Sequence, residues 1–200
     1  MNEAPPLPLR MQQKNYTRQR LLQVSRELFA SQGMAATGID EIARAAGTSR
    51  ATVYTHFAGK QEIIRELLGE MWERCHDLCR SFDALPDCAA PSVHGWLQQV
   101  FASWDNYAES TKALLREMQG GVSDSDWQRH FEDQAEALMH TRTKWMHFTP
   151  DEAHRRAFLL LVQLHRTLSS WYYGGWSTDR DALLHTLTDI WCATLKPRGT

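Results

Sequence analysis

The chain has 200 residues, of which 42% are hydrophobic and 23% are charged, a composition typical of a globular protein of one or two domains. These values exclude a collagen, a disordered activator and a small disulfide-stapled protein. The net charge of −2, if it were spread evenly, argues against a nucleic-acid partner, because lysine and arginine supply the affinity for phosphates.

The N-terminal segment over residues 1–14 is rich in proline and has no hydrophobic period, which predicts a disordered tail. From residue 15 onward apolar residues recur at intervals of three and four, which is the pattern of amphipathic helices. Strand-like alternation is absent, so the predicted fold class is all-α. The predicted helices cover, in chain order, residues 17–31, 39–45, 50–56, 60–82, 92–109, 112–118, 125–147, 151–173 and 181–195.

The charge is divided unevenly between the two predicted domains, a small one over 15–60 and a larger one over 61–196. Residues 1–64 contain eight basic and five acidic side chains, whereas the remainder contains fourteen basic and nineteen acidic ones. The near-neutral total is therefore the sum of a basic N-terminal part and an acidic C-terminal part. This distribution restores nucleic acid as a candidate partner of the first domain.

The segment 39–54 has the pattern of a helix-turn-helix unit, in which two short helices flank the turn 46–49. Ile42 and Val53 are apolar where the helices would face a core, and Ser49 is placed to cap the second helix. The exposed face of the second helix offers donors to base edges or phosphates. These donors are Arg50, Thr52, Tyr54 and His56.

This N-terminal region resembles the signature of the tetracycline-repressor (TetR) family of transcriptional regulators. Two positions depart from it, Gly38 at the start of the second helix and Thr48 in the turn, and Gly38 predicts a weaker helix cap. The resemblance covers residues 17–60. The matching positions are Thr17, Arg18, Leu28, Phe29, Gly33, Thr37, Ile39, Ile42, Ala43, Ala46, Gly47, Ser49, Ala51, Thr52, Val53, Tyr54, His56, Phe57 and Lys60.

The resemblance implies a three-helix DNA-binding domain followed by a helical domain for ligand binding and dimerisation. It implies a homodimer that binds a palindromic operator in double-stranded DNA, with Arg50, Ala51 and Thr52 against the bases. Contacts with phosphates are implied for Thr37, Tyr54, His56 and Lys60. Arg50 is also the exposed side chain of the second helix that can make a bidentate contact with guanine.

Two basic residues precede this region, Arg10 and Lys14. They form either an arm that reaches a minor groove or part of an inert tail.

The C-terminal domain carries no matching motif, so its residues are interpreted from spacing alone. The last two predicted helices each have an apolar stripe, and two copies of such a pair can form a four-helix dimer interface. The interface residues predicted from these stripes are Phe158, Leu161, Leu168, Leu187 and Trp191.

All eight tryptophans lie after residue 70, and this aromatic excess predicts a pocket for a small hydrophobic or aromatic inducer. The segment 170–176 faintly resembles a Trp-Tyr stretch of fatty-acyl-CoA-responsive members, which makes an acyl-CoA a secondary ligand hypothesis. The predicted pocket residues are Phe101, Trp104, Arg116, Phe131, His140, Trp145, His165 and Trp171.

The four cysteines are irregularly spaced, which favours a reducing compartment over a disulfide framework. The N-terminus lacks the apolar core of a signal peptide and no run is long enough to span a membrane, so a soluble, cytoplasmic protein is expected. Cys75 and Cys79 lie on an apolar stripe, where cysteine behaves as a small hydrophobe. Thiol or metal sensing by these two and Cys88 is the alternative, and no metal or cofactor is expected.

The function predicted from these observations is a ligand-relieved transcriptional repressor rather than an enzyme. No paired carboxylates, nucleophile with base or glycine-rich phosphate loop occurs in a recognisable spacing. Two alternatives stay open at this point. One is an all-α enzyme or ligand-binding protein that does not bind an operator, and the other is an activator on the same fold.

Overall fold

The structure is a computed structural model that describes residues 8–118 and 124–196, and the side chains of 106–118 and 124–127 lie outside the described set. Within these ranges the secondary structure is helical and contains no strand, which confirms the all-α class. The elements are α1 Leu9–Gln32, α2 Ile39–Ala45, α3 Arg50–His56, α4 Lys60–Asp83, α5 Ala90–Met118, α6 Asp124–Leu138, a 3₁₀ turn Thr143–Trp145, α7 Pro150–Tyr172 and α8 Arg180–Leu195.

Helix α1 begins at Leu9, so the prediction of a disordered tail over 1–14 is wrong for its last six residues. Pro8 immediately precedes the helix, and its carbonyl oxygen accepts the backbone N–H groups of Met11 at 2.8 Å and Gln12 at 3.1 Å. Proline suits this place, because its fixed φ is compatible with a helix start and its missing N–H leaves no bond unmade. Arg10 and Lys14 consequently lie on a helix.

The middle of the chain also differs from the predicted elements. α5 is one continuous helix, whereas α6 ends at Leu138 rather than continuing to residue 147. The Asp83 carboxylate accepts the backbone N–H of Thr141 at 2.9 Å and its hydroxyl at 3.0 Å, and Arg142 adopts a left-handed conformation at φ +56°. These bonds favour a turn where the apolar spacing alone predicted more helix.

The chain divides into two compact units, and the first comprises Met1–Glu70 with Glu109–Gly120. In it α1 packs on α2 and α2 packs on α3. Ion pairs of Arg18 with Glu66 and of Arg26 with Glu70 tie α1 to the first turns of α4. The boundary therefore lies inside α4, ten residues beyond the end of the predicted small domain.

The second unit comprises Met71–Ala108 with Gly121–Thr200 and has its own aromatic core. The rings of Phe82, Trp96 and Trp191 pack together with centroids 4.9–5.4 Å apart. Pro150, Asp151 and Glu152 begin α7, and the Thr149 hydroxyl caps it by accepting the N–H of Glu152 at 3.3 Å. Among the described helices none is both long and apolar enough to cross a membrane.

Candidate functional site

The turn between α2 and α3 has the geometry of a tight helix-turn-helix connection. Gly47 adopts φ +70°, a conformation that costs glycine little and other residues more. The N–H of Thr48 returns to the carbonyl of Ala43 at 2.9 Å, and the Ser49 hydroxyl accepts the N–H of Thr52 at 3.1 Å. The predicted Ser49 cap is confirmed, and α2 has no side-chain cap at Gly38, as expected from its sequence.

Helix α3 is anchored by one face and exposes the other. Val53 and Phe57 are buried in the core of the first unit, where they fix the rotation of the helix about its axis. The opposite face is polar and accessible. Its exposed residues are Arg50, Ala51, Tyr54 and Thr55.

Arg50 is the most exposed cation of this face, and it is held in place by two neighbours. Its Nη1 donates to Oδ2 of Asp40 at 2.8 Å, and its Nη2 donates to the hydroxyl of Tyr54 at 3.4 Å. The guanidinium carbon lies 5.5 Å from the centroid of the Tyr54 ring. The hydrogen bond with Tyr54, followed by the bond and charge of Asp40, raises the pKa of Arg50.

The other predicted contacts of α3 differ in accessibility. Tyr54 is 46% exposed, whereas Thr52 is half-buried with its hydroxyl 2.9 Å from that of Ser49. His56 is half-buried at the helix end, and its Nδ1 has no hydrogen-bond partner among the described residues. Burial, then the charges of Arg18 and Lys14, lowers the pKa of His56.

Thr37 and Lys60 are engaged inside the first unit, which corrects their expected presentation to phosphate. Thr37 is only 1% exposed, and its hydroxyl donates to the carbonyl of Gly33 at 2.8 Å. The Lys60 ammonium donates to the carbonyls of Met34 at 2.6 Å and Thr37 at 3.1 Å. The physical reason is that the loop between α1 and α2 leaves carbonyls without helical partners, and Lys60 supplies the donors.

Because of these bonds we expect Lys60→Ala to destabilise the first unit rather than simply to weaken DNA binding. Two part-buried carbonyls would lose their donor, at a cost of about 1–3 kcal/mol. Thermal unfolding of the full chain measures this loss. A lost phosphate contact would instead lower the slope of log K against log salt by about 1 with unchanged unfolding, and that result would contradict the structural role.

Arg18 is a site residue whose role the sequence did not indicate, although it belongs to the matched signature. Besides its ion pair with Glu66, its guanidinium donates to the carbonyl of His56 and lies 4.3 Å from the centroid of the Phe57 ring. One side chain of α1 thereby joins the end of α3 to α4. The partners of the Arg18 guanidinium are brought to it by the tertiary structure, so spacing along the chain does not indicate them.

The N-terminal turns of α1 add exposed cations to the same unit. Arg10 and Lys14 are one helical turn apart and both exposed, and the charge of Lys14 acts on His56 at the end of α3. Lys14 therefore lies near the exposed end of the helix-turn-helix unit. Neither sequence interpretation included a helix at this place, and a contact of these two cations with DNA stays a prediction.

The second unit separates the predicted pocket residues into groups. Trp104 stacks on Tyr172 at 6.1 Å, and Phe101 lies 6.4 Å from Trp171. Phe131 instead meets His165 at 5.3 Å. Trp145 is buried beside Phe148, His140 is exposed, and the Arg116 side chain lies outside the described residues. The structure distributes the predicted pocket residues over several separate ring contacts, and their part in binding an inducer stays a prediction.

A cleft of about 400 Å³ opens between α4 and α6 beside one of these groups. The indole of Trp72 stacks on the imidazole of His130 at 4.9 Å. Burial is the main cause that lowers the pKa of His130, and of His165 behind it, to about 4, so both rings are neutral at pH 7. The lining residues are Trp72, Glu73, His76, Asp77, His130, Asp133 and Gln134, among which there is neither lysine nor arginine.

The cysteines are free thiols in the structure. Burial raises the pKa of Cys75 to about 11 and raises that of Cys79 still further, so neither is a reactive thiolate at pH 7. This agrees with their placement on an apolar stripe. Among the described residues no cluster of three histidine, cysteine or acidic side chains is suited to a metal ion.

The predicted dimer residues lie mostly inside the chain. Leu161, Leu168, Leu187 and Trp191 are at most 4% exposed in the core of the second unit, and Phe158 is half-buried against Phe131. That prediction is wrong because an apolar stripe does not reveal whether it packs within its own chain. The exposed residues of these two helices are different ones. They include Arg155, Leu159, Val162 and Arg166 on α7, and Ala182, His185, Thr186, Asp189, Ile190 and Ala193 on α8.

Comparison with known proteins identifies relatives of part of the chain. The model of the family described as bacterial regulatory proteins, tetR family, matches residues 21–67. The HTH-type transcriptional regulator SrpR of Pseudomonas putida is 41% identical over 71 residues, 36% of this chain and 31% of SrpR. The HTH-type transcriptional repressor KstR2 of Mycobacterium tuberculosis is 30% identical over 108 residues, 54% of this chain and 42% of KstR2. The matched part therefore spans less than half the length of these curated relatives.

The fold comparison extends over nearly the whole chain. The crystal structure of a TetR-family transcriptional regulator from Mesorhizobium loti superimposes with a TM-score of 0.70 at 18% identity, covering 91% of this chain and 96% of that one. At this identity the likeness concerns the fold. The chain therefore matches the tetR family of bacterial regulatory proteins over residues 21–67, and over nearly its whole length it shares the fold of a TetR-family regulator.

Proposed function

We propose that the chain is a ligand-responsive transcriptional repressor that binds a palindromic operator as a homodimer. The observation that carries the proposal is the exposed polar face of α3 on a helix whose other face is locked into a core. A rigid helix with accessible donors is what the major groove requires, since its width admits one α-helix. The relative KstR2 is a transcriptional repressor, which supports repression as the proposed sign of regulation.

In this proposal the contacts with DNA fall into two groups. Arg50, Ala51 and Thr52 contact base edges from the start of α3, and Tyr54, His56 and Lys14 contact phosphates from its end. Lys60 and Thr37 act indirectly, by closing the loop between α1 and α2. The basic character of residues 1–64 favours this orientation, because the acidic remainder is repelled by the same phosphates.

Arg50→Ala should lower the preference for the operator over random DNA by about 10- to 100-fold, because a bidentate contact with guanine is lost. The operator is first obtained by selecting bound duplexes from a random pool. Fluorescence anisotropy then compares both duplexes at one salt concentration.

Arg44→Ala is the matched control, since Arg44 is an exposed cation on α2 rather than on α3. It should weaken both duplexes about equally. An equal loss on both duplexes for Arg50→Ala as well would contradict base recognition by Arg50.

The homodimer is proposed to form through the exposed faces of α7 and α8. Leu159 on α7 is 64% exposed, Val162 is 37% exposed and Ile190 on α8 is 41% exposed, although all three are large apolar side chains. The two helices that carry these residues contact each other, and exposed apolar surface on them is a candidate protein interface. A twofold pairing of this face makes the four-helix arrangement that the sequence predicted with other residues.

The inducer site is proposed at the cleft lined by Trp72 and His130. The stacked rings offer a flat apolar wall, and three carboxylates in the lining, Glu73, Asp77 and Asp133, favour a ligand without negative charge. An acyl-CoA is disfavoured at this place, because its phosphates would meet those carboxylates without a cation in the described lining. The proposed ligand class is a planar aromatic molecule that is neutral or cationic.

Helix α4 connects this cleft with the DNA-binding helices along one continuous element. In its first turns, Lys60 binds the loop between α1 and α2, Glu66 pairs with Arg18, and Glu70 pairs with Arg26. Its later turns carry Trp72. A ligand that displaces Trp72 shifts α4, and the ion pair of Glu66 with Arg18 passes the shift to the end of α3, where Arg18 donates to the carbonyl of His56. Recognition helices that must lie about 34 Å apart then lose their spacing.

The ligand class is tested with ethidium, a planar aromatic cation, by the change of its fluorescence on binding. Trp72→Leu keeps an apolar side chain but removes the stacking surface, so ethidium affinity should fall about tenfold. Trp176→Leu is the control, since Trp176 is 47% exposed and does not line the cleft. Equal ethidium affinity in both variants, or saturable binding of palmitoyl-CoA that Trp72→Leu abolishes, would contradict the proposed class.

A further inference from the structure

The guanidinium of Arg50 is oriented by two side chains of its own chain. Asp40, in the first turn of α2, and Tyr54, one turn along α3, bind its two terminal nitrogens at 2.8 and 3.4 Å. Both sides of this ion pair are largely exposed, with 58% of the Arg50 side chain and 64% of the Asp40 side chain accessible. The pair therefore lies on the surface that the proposed function turns toward DNA.

The hydrogen-bond inventory of Arg50 allows these contacts to persist while a base is bound. A guanidinium has five N–H donors, of which Asp40 and Tyr54 occupy two. The three remaining donors include one on each terminal nitrogen and Nε–H. A bidentate contact with O6 and N7 of guanine needs two donors. Asp40 does not have to be displaced when Arg50 meets a guanine.

Holding a long side chain in one orientation has consequences for discrimination. An unrestrained arginine loses rotamer freedom when it binds and can turn to a phosphate as readily as to a base. A carboxylate beside the guanidinium opposes the approach of a phosphate, because the two anions repel. The same carboxylate lowers the affinity for any DNA, because it repels phosphates. It therefore raises the ratio of operator to random affinity while it lowers the total affinity.

We infer that Asp40 is a specificity-determining positioning residue, which aligns Arg50 on the edge of a guanine and keeps it from the phosphates. The inference rests on the proposed function, since it requires an operator that α3 reads. It extends that function to a residue of α2 that makes no contact with a base. It also identifies a guanine in each half-site as the base that the pair reads.

The test compares the full-length chain and Asp40→Asn on three duplexes at equal salt. These are the selected operator, the operator with the guanine protected by Arg50 replaced in each half-site, and a random duplex. Asp40→Asn keeps the side-chain shape and removes the charge. We expect the ratio of operator to random affinity to fall about five- to tenfold. Most of this fall should appear as a smaller preference for the operator over the duplex with the replaced guanine, and binding to the random duplex should be no weaker.

Glu41→Gln is the matched control, because Glu41 lies in the same turn of α2 but accepts from Nε2 of Gln32 at 2.7 Å instead of from Arg50. It removes the same charge and should leave the ratio unchanged. Asp40→Asn added to Arg50→Ala should lower the ratio no further than Arg50→Ala alone. Tyr54→Phe keeps the ring and removes the acceptor, and should lower the ratio in the same direction but less.

Three results would overturn the inference. Equal changes in all duplexes for Asp40→Asn and Glu41→Gln would make Asp40 an ordinary surface charge. If Asp40→Asn raised both the operator affinity and the ratio of operator to random affinity, Asp40 would compete with the base for Arg50 instead of positioning it. A lower melting temperature with an unchanged ratio would reduce it to a stabilising residue. If the unaltered chain binds all duplexes equally, the proposed function itself fails. A failure of the inference alone is different, because the unaltered chain then still prefers the operator.

Discussion

Replacing Trp191 by alanine should lower the free energy of unfolding by about 3–5 kcal/mol, which is a large part of the roughly 5–15 kcal/mol that stabilises an ordinary domain. Trp191 is fully buried and its ring packs 4.9 Å from Trp96 and 5.4 Å from Phe82. Truncation would leave a cavity between α5 and α8 that these rings cannot close. Urea unfolding at fixed protein concentration measures the loss, because a dimer's stability depends on concentration.

Trp191→Phe is the matched variant and should cost much less. It keeps an aromatic ring against Phe82, and it removes an indole N–H that has no hydrogen-bond partner among the described residues. If Trp191 lay in the dimer interface, Trp191→Ala would instead give a stably folded monomer. Light scattering beside the unfolding curve distinguishes that outcome from the expected loss of stability.

The first unit was predictable because its determinants are local. The left-handed Gly47, the Ser49 cap and the buried Val53 all act within a few residues of the turn, so their spacing carries the information. The roles of Lys60 and Thr37 were not local in this sense. Their partners lie across the loop between α1 and α2, and only the folded chain places the ammonium of Lys60 between two carbonyls.

The second unit was less predictable for a related reason. Periodicity indicates that α7 has an apolar stripe, but the stripe at Leu161 and Leu168 is buried in the chain's own core. The face that stays exposed carries Leu159 and Val162, one position away along the helix from residues of the buried stripe. The aromatic excess likewise predicted a pocket, but which ring meets which depends on helix packing that no short spacing encodes.

Ile190→Asp should convert the proposed dimer into a folded monomer. Ile190 is 41% exposed on α8, so aspartate there meets water in the monomer and leaves the core intact. In a twofold interface the substitution appears twice, and each carboxylate would be desolvated without a partner. We expect the dimer Kd to rise at least 100-fold, which corresponds to about 2.7 kcal/mol. Sedimentation analysis measures the change.

The control for Ile190→Asp is Met146→Asp, which removes an apolar side chain that is 78% exposed but lies outside α7 and α8. It should leave the dimer intact. Loss of the dimer should also weaken binding to the operator, because a monomer contacts only one half-site at a time. Ile190→Asp should therefore lose affinity for the full operator while keeping the affinity of a single half-site. If both variants remain dimers and bind the operator equally, α7 and α8 do not form the interface.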